Sequence, residues 1–318
     1  MHIKDQINDF MKSTFSAIEL KKEVPKEQEG NLFIGLLFHL GPSALFIALL
    51  VIFGMNLTNV IVLYLISSFL FMIPIVILER YNPAVKMEMP NFREFINGIS
   101  VVFYKGILVG GSLISLGWYL ISLISPISGT NNGWITITIA VFLTDLFYYT
   151  IHRFLSHGTG NHFITRFYRK AHSAHHSVSE LDFIRGNQSS LIDTSISQFQ
   201  PSLIVISAYL GMDLPSTLTA YGLVLMLQST DHINFTCKIG WLKYLFMDNH
   251  AHRFHHCKKG NWVNHGAVFS IYDRLLGTYY EDWTISSGYM HHNGLVLPIK
   301  INRYTLFPSD KDIKTNSD

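Results

Sequence analysis

The sequence contains few charged residues for its length. Lys, Arg, Asp and Glu together account for 14% of the 318 residues, whereas soluble domains average about 25%. The formal net charge is only +2 and no long basic run occurs, which argues against a nucleic-acid-binding protein. The first 20 residues are polar and contain no apolar core segment, so we expect no cleaved signal peptide.

Cysteine and several well-known cofactor motifs are scarce or missing. The only cysteines are Cys237 and Cys257, with no CxxC pair, which disfavours a disulfide framework and a thiolate zinc site. The chain also has no HExxH, no ExxH and no glycine-rich phosphate loop. These absences disfavour a zinc protease of the HExxH type, a soluble di-iron bundle and a nucleotide-binding domain.

Long apolar runs are abundant instead. Four runs contain at most one charged residue each, and their length of about 20 residues matches the bilayer core: 32–53, 57–78, 99–124 and 134–151. A fifth region, 190–228, is apolar but interrupted by proline and glycine. It predicts a hairpin of two shorter helices that either spans the membrane or only dips into it. The expected fold is therefore all-α, a polytopic membrane helical bundle.

The basic residues predict how this bundle is oriented. Five lysines lie between Lys4 and Lys26, and Arg80, Lys86 and Arg93 follow the second run, whereas the loops at 54–56 and 125–133 contain no Lys or Arg. By the positive-inside rule the N-terminus and the histidine-rich cap after the fourth span are cytosolic. Either a bacterial inner membrane or the endoplasmic reticulum is compatible with this topology.

The same features divide the chain into four regions. We expect an N-terminal amphipathic and charged segment (1–31), a transmembrane region (32–133), a catalytic region (134–283) and a C-terminal tail (284–318). A helix within the first segment would either lie on the membrane surface or pack on the body of the protein.

Histidine is strongly clustered. Of 16 histidines, 12 lie between His152 and His265. The pattern HxxHH occurs at 172–176 and again at 252–256, and its three imidazoles lie on one face of a helix. A single interfacial histidine of a membrane protein is more often a neighbour of lipid headgroups than a ligand, but two such patterns on one side of a membrane predict metal binding. Since one metal needs three or four protein ligands, the set is large enough for two metals.

Five short segments together resemble a known family. They are DLFYYTIHR at 145–153, HSAHHS at 172–177, HRFHH at 252–256, NHG at 264–266 and YDRLLGTY at 272–279. Their types and order, over about 138–280, resemble the fatty acid hydroxylase/sterol desaturase superfamily. The resemblance implies an integral membrane oxygenase with a di-iron centre that hydroxylates or desaturates lipids, using O2 and external electrons. The ligands it implies are His152, His157, His172, His175, His176, His232, His252, His255 and His256.

Three further residues are candidates for supporting roles. Asp145 lies two helical turns before His152 and is expected to accept a hydrogen bond from that imidazole, with a plain helix–helix contact as the alternative. Asn264 is expected to support the HxxHH pattern at 252–256 in the same way. Gln228 stands where some family members have another histidine, so it either lies behind the ligands or has no role at the metals. His265 replaces the usual tyrosine, which bears on the substrate class and leaves the metal ligands intact.

The function predicted from these observations is O2-dependent hydroxylation of a lipid C–H bond. Desaturation at the same site is the alternative within the class. A polytopic metal transporter and a structural zinc protein are the alternatives outside it; the transporter predicts histidines within several spans. No haem, iron–sulfur or flavin motif is present, so a separate donor, cytochrome b5-like or a ferredoxin/rubredoxin-type protein with its reductase, is expected. Basic residues at 166–170 and 253–259 are the predicted docking face, although a solvated charge run is an alternative explanation.

Overall fold

The computed structural model describes residues 30–280, with short gaps at 82, 85–89, 91, 125–132, 177–180, 188, 190–191, 194, 196–198, 236 and 257–261. The predicted N-terminal amphipathic segment and the C-terminal tail lie outside the described residues. Within the described part, all regular structure is helical, and the only strand-like contacts are isolated bridges such as the one between Asn31 and Cys237.

Four helices are long and apolar enough to cross a membrane, as predicted. The first two are α1 (Leu32–Phe53) and α2 (Leu57–Tyr81). The third, Gly106–Ile124, consists of the second part of a π-helix (Val102–Gly111) and α4 (Ser112–Ile124), and α3 (Phe92–Val101) precedes it. The fourth is α5 (Trp134–Ile151). Many large apolar side chains on these helices are exposed, as expected of helices that face lipid rather than water.

The fifth apolar region forms the predicted hairpin, α8 (Gln200–Tyr209) and α9 (Leu214–Gln228). Its tip lies at the end of the bundle away from the histidines: Trp118 Nε1 donates to the Met212 carbonyl (3.1 Å), and Ser216 Oγ contacts Met55 Sδ (3.9 Å) in the α1–α2 loop. The hairpin therefore runs as deep as the long helices. Helix α9 is apolar and buried nearly all round, so it forms the centre of the bundle.

Short elements form a cap at the other end. They are a π-helical turn (His152–Ser156), α6 (Phe163–His176), α7 (Phe183–Gly186), a 3₁₀ turn (Gly240–Tyr244), α10 (Asn249–His255) and α11 (Ile271–Leu275). Glu79, near the end of α2, fastens this cap by accepting hydrogen bonds from the backbone N–H groups of Phe183 (2.8 Å) and Asn234 (2.7 Å). The histidine-rich cap is thus attached directly to the ends of the long helices.

Candidate metal centre

The first pair of histidines depends on the π-helical turn that follows α5. His152 and His157 are five residues apart, a spacing that an α-helix turns to different faces. Here the His157 N–H donates to the His152 carbonyl at 2.9 Å, the i→i−5 bond of a π-helix, a form that often marks functional sites. Their Nε2 atoms consequently lie 3.1 Å apart.

Two turns of α6 and one residue of α10 complete this group. His172 and His176 are on one face of α6, with their Nε2 atoms 3.1 Å apart, and His172 Nε2 lies 3.0 Å from His152 Nε2. His255 reaches the same point from α10. We call these five buried residues the first cluster: His152, His157, His172, His176 and His255, whose ligand atoms all lie within 4.8 Å of one another.

A second group lies beside the first. The second cluster consists of His175, His232, His252 and His256, again buried and with ligand atoms within 4.8 Å of one another. The Nε2 atoms of His232, His252 and His256 form a triangle with sides of 3.1, 3.2 and 3.3 Å. All nine predicted histidines are therefore brought together, as two groups of five and four.

Each HxxHH pattern is divided between the two clusters. Helix α6 contributes His172 and His176 to the first and His175 to the second. Helix α10 contributes His255 to the first and His252 to the second, and His256, directly after α10, also belongs to the second. On each helix the side chains at i and i+4 point to one side of the shared face, and the side chain at i+3 points to the other side. Two facing helices of this pattern therefore build two sites at once.

The contacts between imidazoles fit metal ions better than hydrogen bonds. The Nδ1 atoms of His152 and His172 face the His265 carbonyl (2.6 Å) and the Asp193 carboxylate (3.3 Å), so in the neutral rings these acceptors assign the protons to Nδ1. Both Nε2 atoms then present lone pairs, 3.0 Å apart. Nitrogens bound at right angles to one metal, at bonds of about 2.1 Å, lie about 3.0 Å apart. A cation between them removes the repulsion.

Burial keeps these rings in the form that binds metal. Burial away from solvent is the main cause, and repulsion from neighbouring imidazoles, which would oppose a second proton nearby, adds to it. Together they hold the pKa of six cluster histidines outside the long helices well below the usual 6.5: His157, His176, His232, His252, His255 and His256. They are neutral at pH 7, with lone pairs available for a metal.

A strained turn at Asn264 positions two acceptors of the first cluster. Asn264 has a φ of +56°, a conformation that Asn tolerates better than most residues. The carbonyls on either side of it accept from ligand rings, that of Val263 from His255 Nδ1 (2.7 Å) and that of His265 from His152 Nδ1. The Asn264 amide donates to the carbonyls of Ala251 (2.7 Å) and Tyr280 (2.6 Å). The prediction that Asn264 holds an imidazole is therefore wrong, because its amide binds backbone.

The predicted role of Asp145 is also wrong. Its two carboxylate oxygens accept from the backbone N–H groups of Val268 (3.0 Å) and Phe269 (2.9 Å), and the His265 carbonyl takes the place at His152 Nδ1. The alternative, a helix–helix contact, is not observed either, because Asp145 binds a loop. Since that loop follows directly on the His265 carbonyl, Asp145 supports His152 only through the backbone.

Asp193 was missed by the sequence analysis. It is buried and lies 3.3 Å from His172 Nδ1, the position in which a carboxylate orients a ligand histidine and raises its basicity. Its presence as a lone acid at the start of the apolar region 190–228 was the available signal, because an acid there needs a specific partner.

The remaining candidates lie outside the clusters. Gln228 is half-buried at the end of α9, whereas both clusters consist of histidines alone. The His265 side chain is buried against the first cluster, 5.5 Å from His157 between ring centroids, but is not one of its five members. Arg253 is completely buried, so the predicted docking face at 253–259 is wrong at this residue, and 257–259 lie outside the described part.

The comparisons with known proteins agree with this geometry. The family model "Fatty acid hydroxylase" matches residues 137–278, which include all nine cluster histidines. Neither a curated protein nor a solved structure gives a match. The matched region contains both buried histidine clusters, which could hold metal ions, and three of the four apolar helices precede it. Residues 137–278, a little under half of the chain, thus match the fatty acid hydroxylase family model, in agreement with the resemblance to the fatty acid hydroxylase/sterol desaturase superfamily.

Proposed function

We propose that this protein is a membrane-bound di-iron oxygenase that hydroxylates a C–H bond of a membrane lipid, using O2 and electrons from a separate protein. One observation supports this more than any other: two buried, all-imidazole clusters share α6 and α10 at one end of four apolar helices. The family of residues 137–278 supports hydroxylation as the reaction.

The proposed metals are two irons, one held by each cluster. Iron supplies the redox chemistry that O2 activation requires, which zinc lacks. The chain's own residues bind and orient: Asp193 and the carbonyls of Val263 and His265 fix three imidazoles of the first cluster. Complete burial of both clusters excludes bulk water from the reacting centre.

We further propose that the metal centre faces the cytosol. Asn31 at the start of α1 and Glu79 near the end of α2 both contact the cap. The chain therefore enters α1 and leaves α2 at the same end of the bundle as the histidines, and the sequence has basic residues before the first of these helices and after the second. The positive-inside rule assigns that end to the cytosol.

The electron donor is proposed to dock on the exposed side of α6. Arg166 is exposed there, and Arg169 and Lys170 are half-buried. A basic surface suits an acidic donor, either cytochrome b5-like or a ferredoxin/rubredoxin-type protein with its reductase.

The position of the clusters disfavours the transporter alternative. A translocation path needs ligands along the membrane normal, whereas both clusters lie at one end of the bundle. His39 in α1 contacts Thr230 Oγ1 through Nδ1 at 2.8 Å and belongs to neither cluster.

A host with and without the gene, grown under ¹⁸O2, tests the proposal. We expect a gene-dependent lipid that has gained one ¹⁸O atom, and two irons per chain in the purified protein. A lipid that has lost two hydrogens without gaining oxygen would indicate the desaturase instead. One redox-silent zinc and no new lipid would support the structural zinc protein.

Two variants make this experiment specific. His175→Ala removes a member of the second cluster and should abolish the product. His162→Ala is the matched control, because His162 is exposed and outside both clusters, and it should retain the product. Formation of the product by His175→Ala would refute the ligand assignment.

A further inference from the structure

An apolar slot of about 400 Å³ opens between three elements of the bundle. One wall is the first part of α2, from Leu57 to Tyr64; another is the π-helix with the start of α4; the third is α9 from Leu218 to Leu225. The volume falls within the range of about 300–1,000 Å³ found for small-molecule sites.

The slot is long and faces lipid. Its walls on α2 and α9 each extend over eight residues, or about 10 Å along the helix axis. Leu57 and Ile61 on its rim are 44% and 41% exposed, and they lie on a helix long and apolar enough to cross a membrane. A ligand in this slot therefore comes from the bilayer and lies along the direction of the lipid chains.

A series of side-chain contacts connects the slot with the first cluster. The Tyr221 side chain forms part of the slot wall, and its hydroxyl accepts from Gln200 Nε2 at 3.0 Å. Next to Gln200, the Phe199 ring packs on Tyr148 (4.7 Å between centroids), and Tyr148 packs on His152 (5.0 Å). These contacts form a continuous path of aromatic and amide side chains from the lipid-facing slot to a predicted metal ligand.

We propose that the slot binds the hydrocarbon chain of the lipid substrate, a long linear acyl chain, and that Tyr221 is the residue that sets how much of the chain the slot accepts. This rests on the proposed lipid oxidation. An acyl chain matches the apolar lining and the direction of the slot. It is also flexible enough to bend past Tyr221 toward His152, which a fused-ring skeleton is not.

The wall formed by Tyr221 depends on a glycine. A Cβ at Gly110 would overlap the Tyr221 hydroxyl and approach Gln200 Nε2 to 2.9 Å, so the hydrogen-bonded pair fits only against a residue without a side chain. Two other glycines leave the slot open. A Cβ at Gly111 meets nothing within 4 Å, and one at Gly106 lies 3.4 Å from Leu225. Larger residues at these two positions would fill the slot without a backbone clash.

The first test is photo-crosslinking in phosphatidylcholine nanodiscs. The probe is a sixteen-carbon fatty acid with a diazirine near its methyl end, and its attachment sites are mapped by mass spectrometry. Labels are expected on slot residues such as Ile61 and Leu225, and Gly111→Leu should reduce them at least about fivefold. The control is Gly133→Leu, where an added Cβ also meets nothing within 4 Å but which is not a slot residue.

The second test is the chain-length preference in the oxidation assay. Gly111→Leu should lower the product ratio of sixteen-carbon to ten-carbon substrates about tenfold and leave the metal content unchanged. Tyr221→Ala should raise that ratio by removing the wall, and Tyr221→Phe should restore the wild-type ratio because it keeps the ring. A merely structural role for Tyr221 would change the yield but not the ratio.

The outcomes separate this proposal from the proposed function. Labels outside the slot, preferential labelling by a sterol diazirine, or labels that Gly111→Leu does not reduce would each overturn it. So would a loss of labels with an unchanged chain-length ratio, which would indicate a structural lipid. If the wild-type protein formed no oxidised lipid, the proposed function would fail, while crosslinking would still decide whether the slot binds an acyl chain.

Discussion

The two histidine clusters are built from the same two helices but are supported differently. In the first cluster, the Nδ1 atoms of His152, His172 and His255 each face a backbone carbonyl or a carboxylate. In the second cluster, the Nδ1 atoms of His232, His252 and His256 have no hydrogen-bond partner among the described residues.

This difference bears on whether the ligand rings of each cluster are oriented before a metal binds. Partners behind a ligand fix the tautomer and the ring orientation before a metal arrives. The first cluster, with five imidazoles and three supported rings, is oriented by the protein. In the second, the three rings without an Nδ1 partner depend on packing and on the metal itself. We therefore expect the first cluster to bind metal more tightly.

Removal of one ligand from each cluster should have the largest effect and should break the apparent equivalence of the two sites. His232→Ala leaves three imidazoles in the second cluster, so bound metal should fall by about half and turnover should be lost. His157→Ala leaves four in the first cluster and should retain most of its metal with reduced turnover. Metal analysis after desalting measures both, and equal losses would show that the clusters bind equally well.

Asp193→Asn should weaken only the first cluster. Loss of the carboxylate behind His172 should lower the affinity for one of the two metals about 10–100-fold. The affinity for the other metal should not change, as judged by competition with a chelator. Asp213→Asn is the control, because Asp213 caps α9 at the far end of the bundle and Asn caps equally well. A uniform loss at both sites would contradict the comparison.

Acidification should release the metal of the second cluster first. Protons compete with metal for Nε2, so affinity should fall about tenfold per pH unit for each ring that takes up a proton. Because burial lowers the pKa of rings such as His252 and His256 well below 6.5, the unfolded chain binds protons more readily than the folded one.

In the metal-free protein, this preference of the unfolded chain for protons should make the folded state less stable at acidic pH. Its free energy of unfolding should be highest above about pH 6.5 and should fall as the pH drops below that value, by up to about 1.4 kcal/mol per pH unit for each ring. Denaturation at pH 5–8, with and without metal, measures this fall. Unfolding that does not depend on pH in this range would contradict the lowered pKa values.

Gln228→Ala should have the smallest effect. Gln228 carries a neutral amide, a poorer metal ligand than an imidazole, so the metal content should stay at the wild-type value and turnover should change less than about twofold. A loss of metal in this variant would show that the amide belongs to the second cluster after all.

Much of the architecture could be predicted from the sequence because the membrane restricts the choices. Apolar runs of about 20 residues become spanning helices, since unpaired backbone groups cannot be exposed to lipid. The interrupted run 190–228 likewise becomes the α8–α9 hairpin. That the nine histidines lie together could be predicted because their motifs resemble those of a family.

The surroundings of those histidines could not be predicted. The acceptors behind His152 and His255 are backbone carbonyls, which have no sequence signature, and they come from the Asn264 turn. Asp145 and Asn264 were assigned to imidazoles because polar residues near ligands often have that role, but both bind backbone instead. Arg253 was expected on a docking surface, but tertiary packing buries it.

The sequence by itself determined which side chains meet along each helix. The spacing of His172, His175 and His176 sets their angles around α6, and the HxxHH at 252–256 does the same for α10. Only the tertiary structure decided that each pattern is divided between two clusters. Spacing fixes the direction in which an imidazole points from its own helix axis. The metal that it can share with other rings depends on which imidazoles of the facing helix, of the π-helical turn and of His232 lie at the same point.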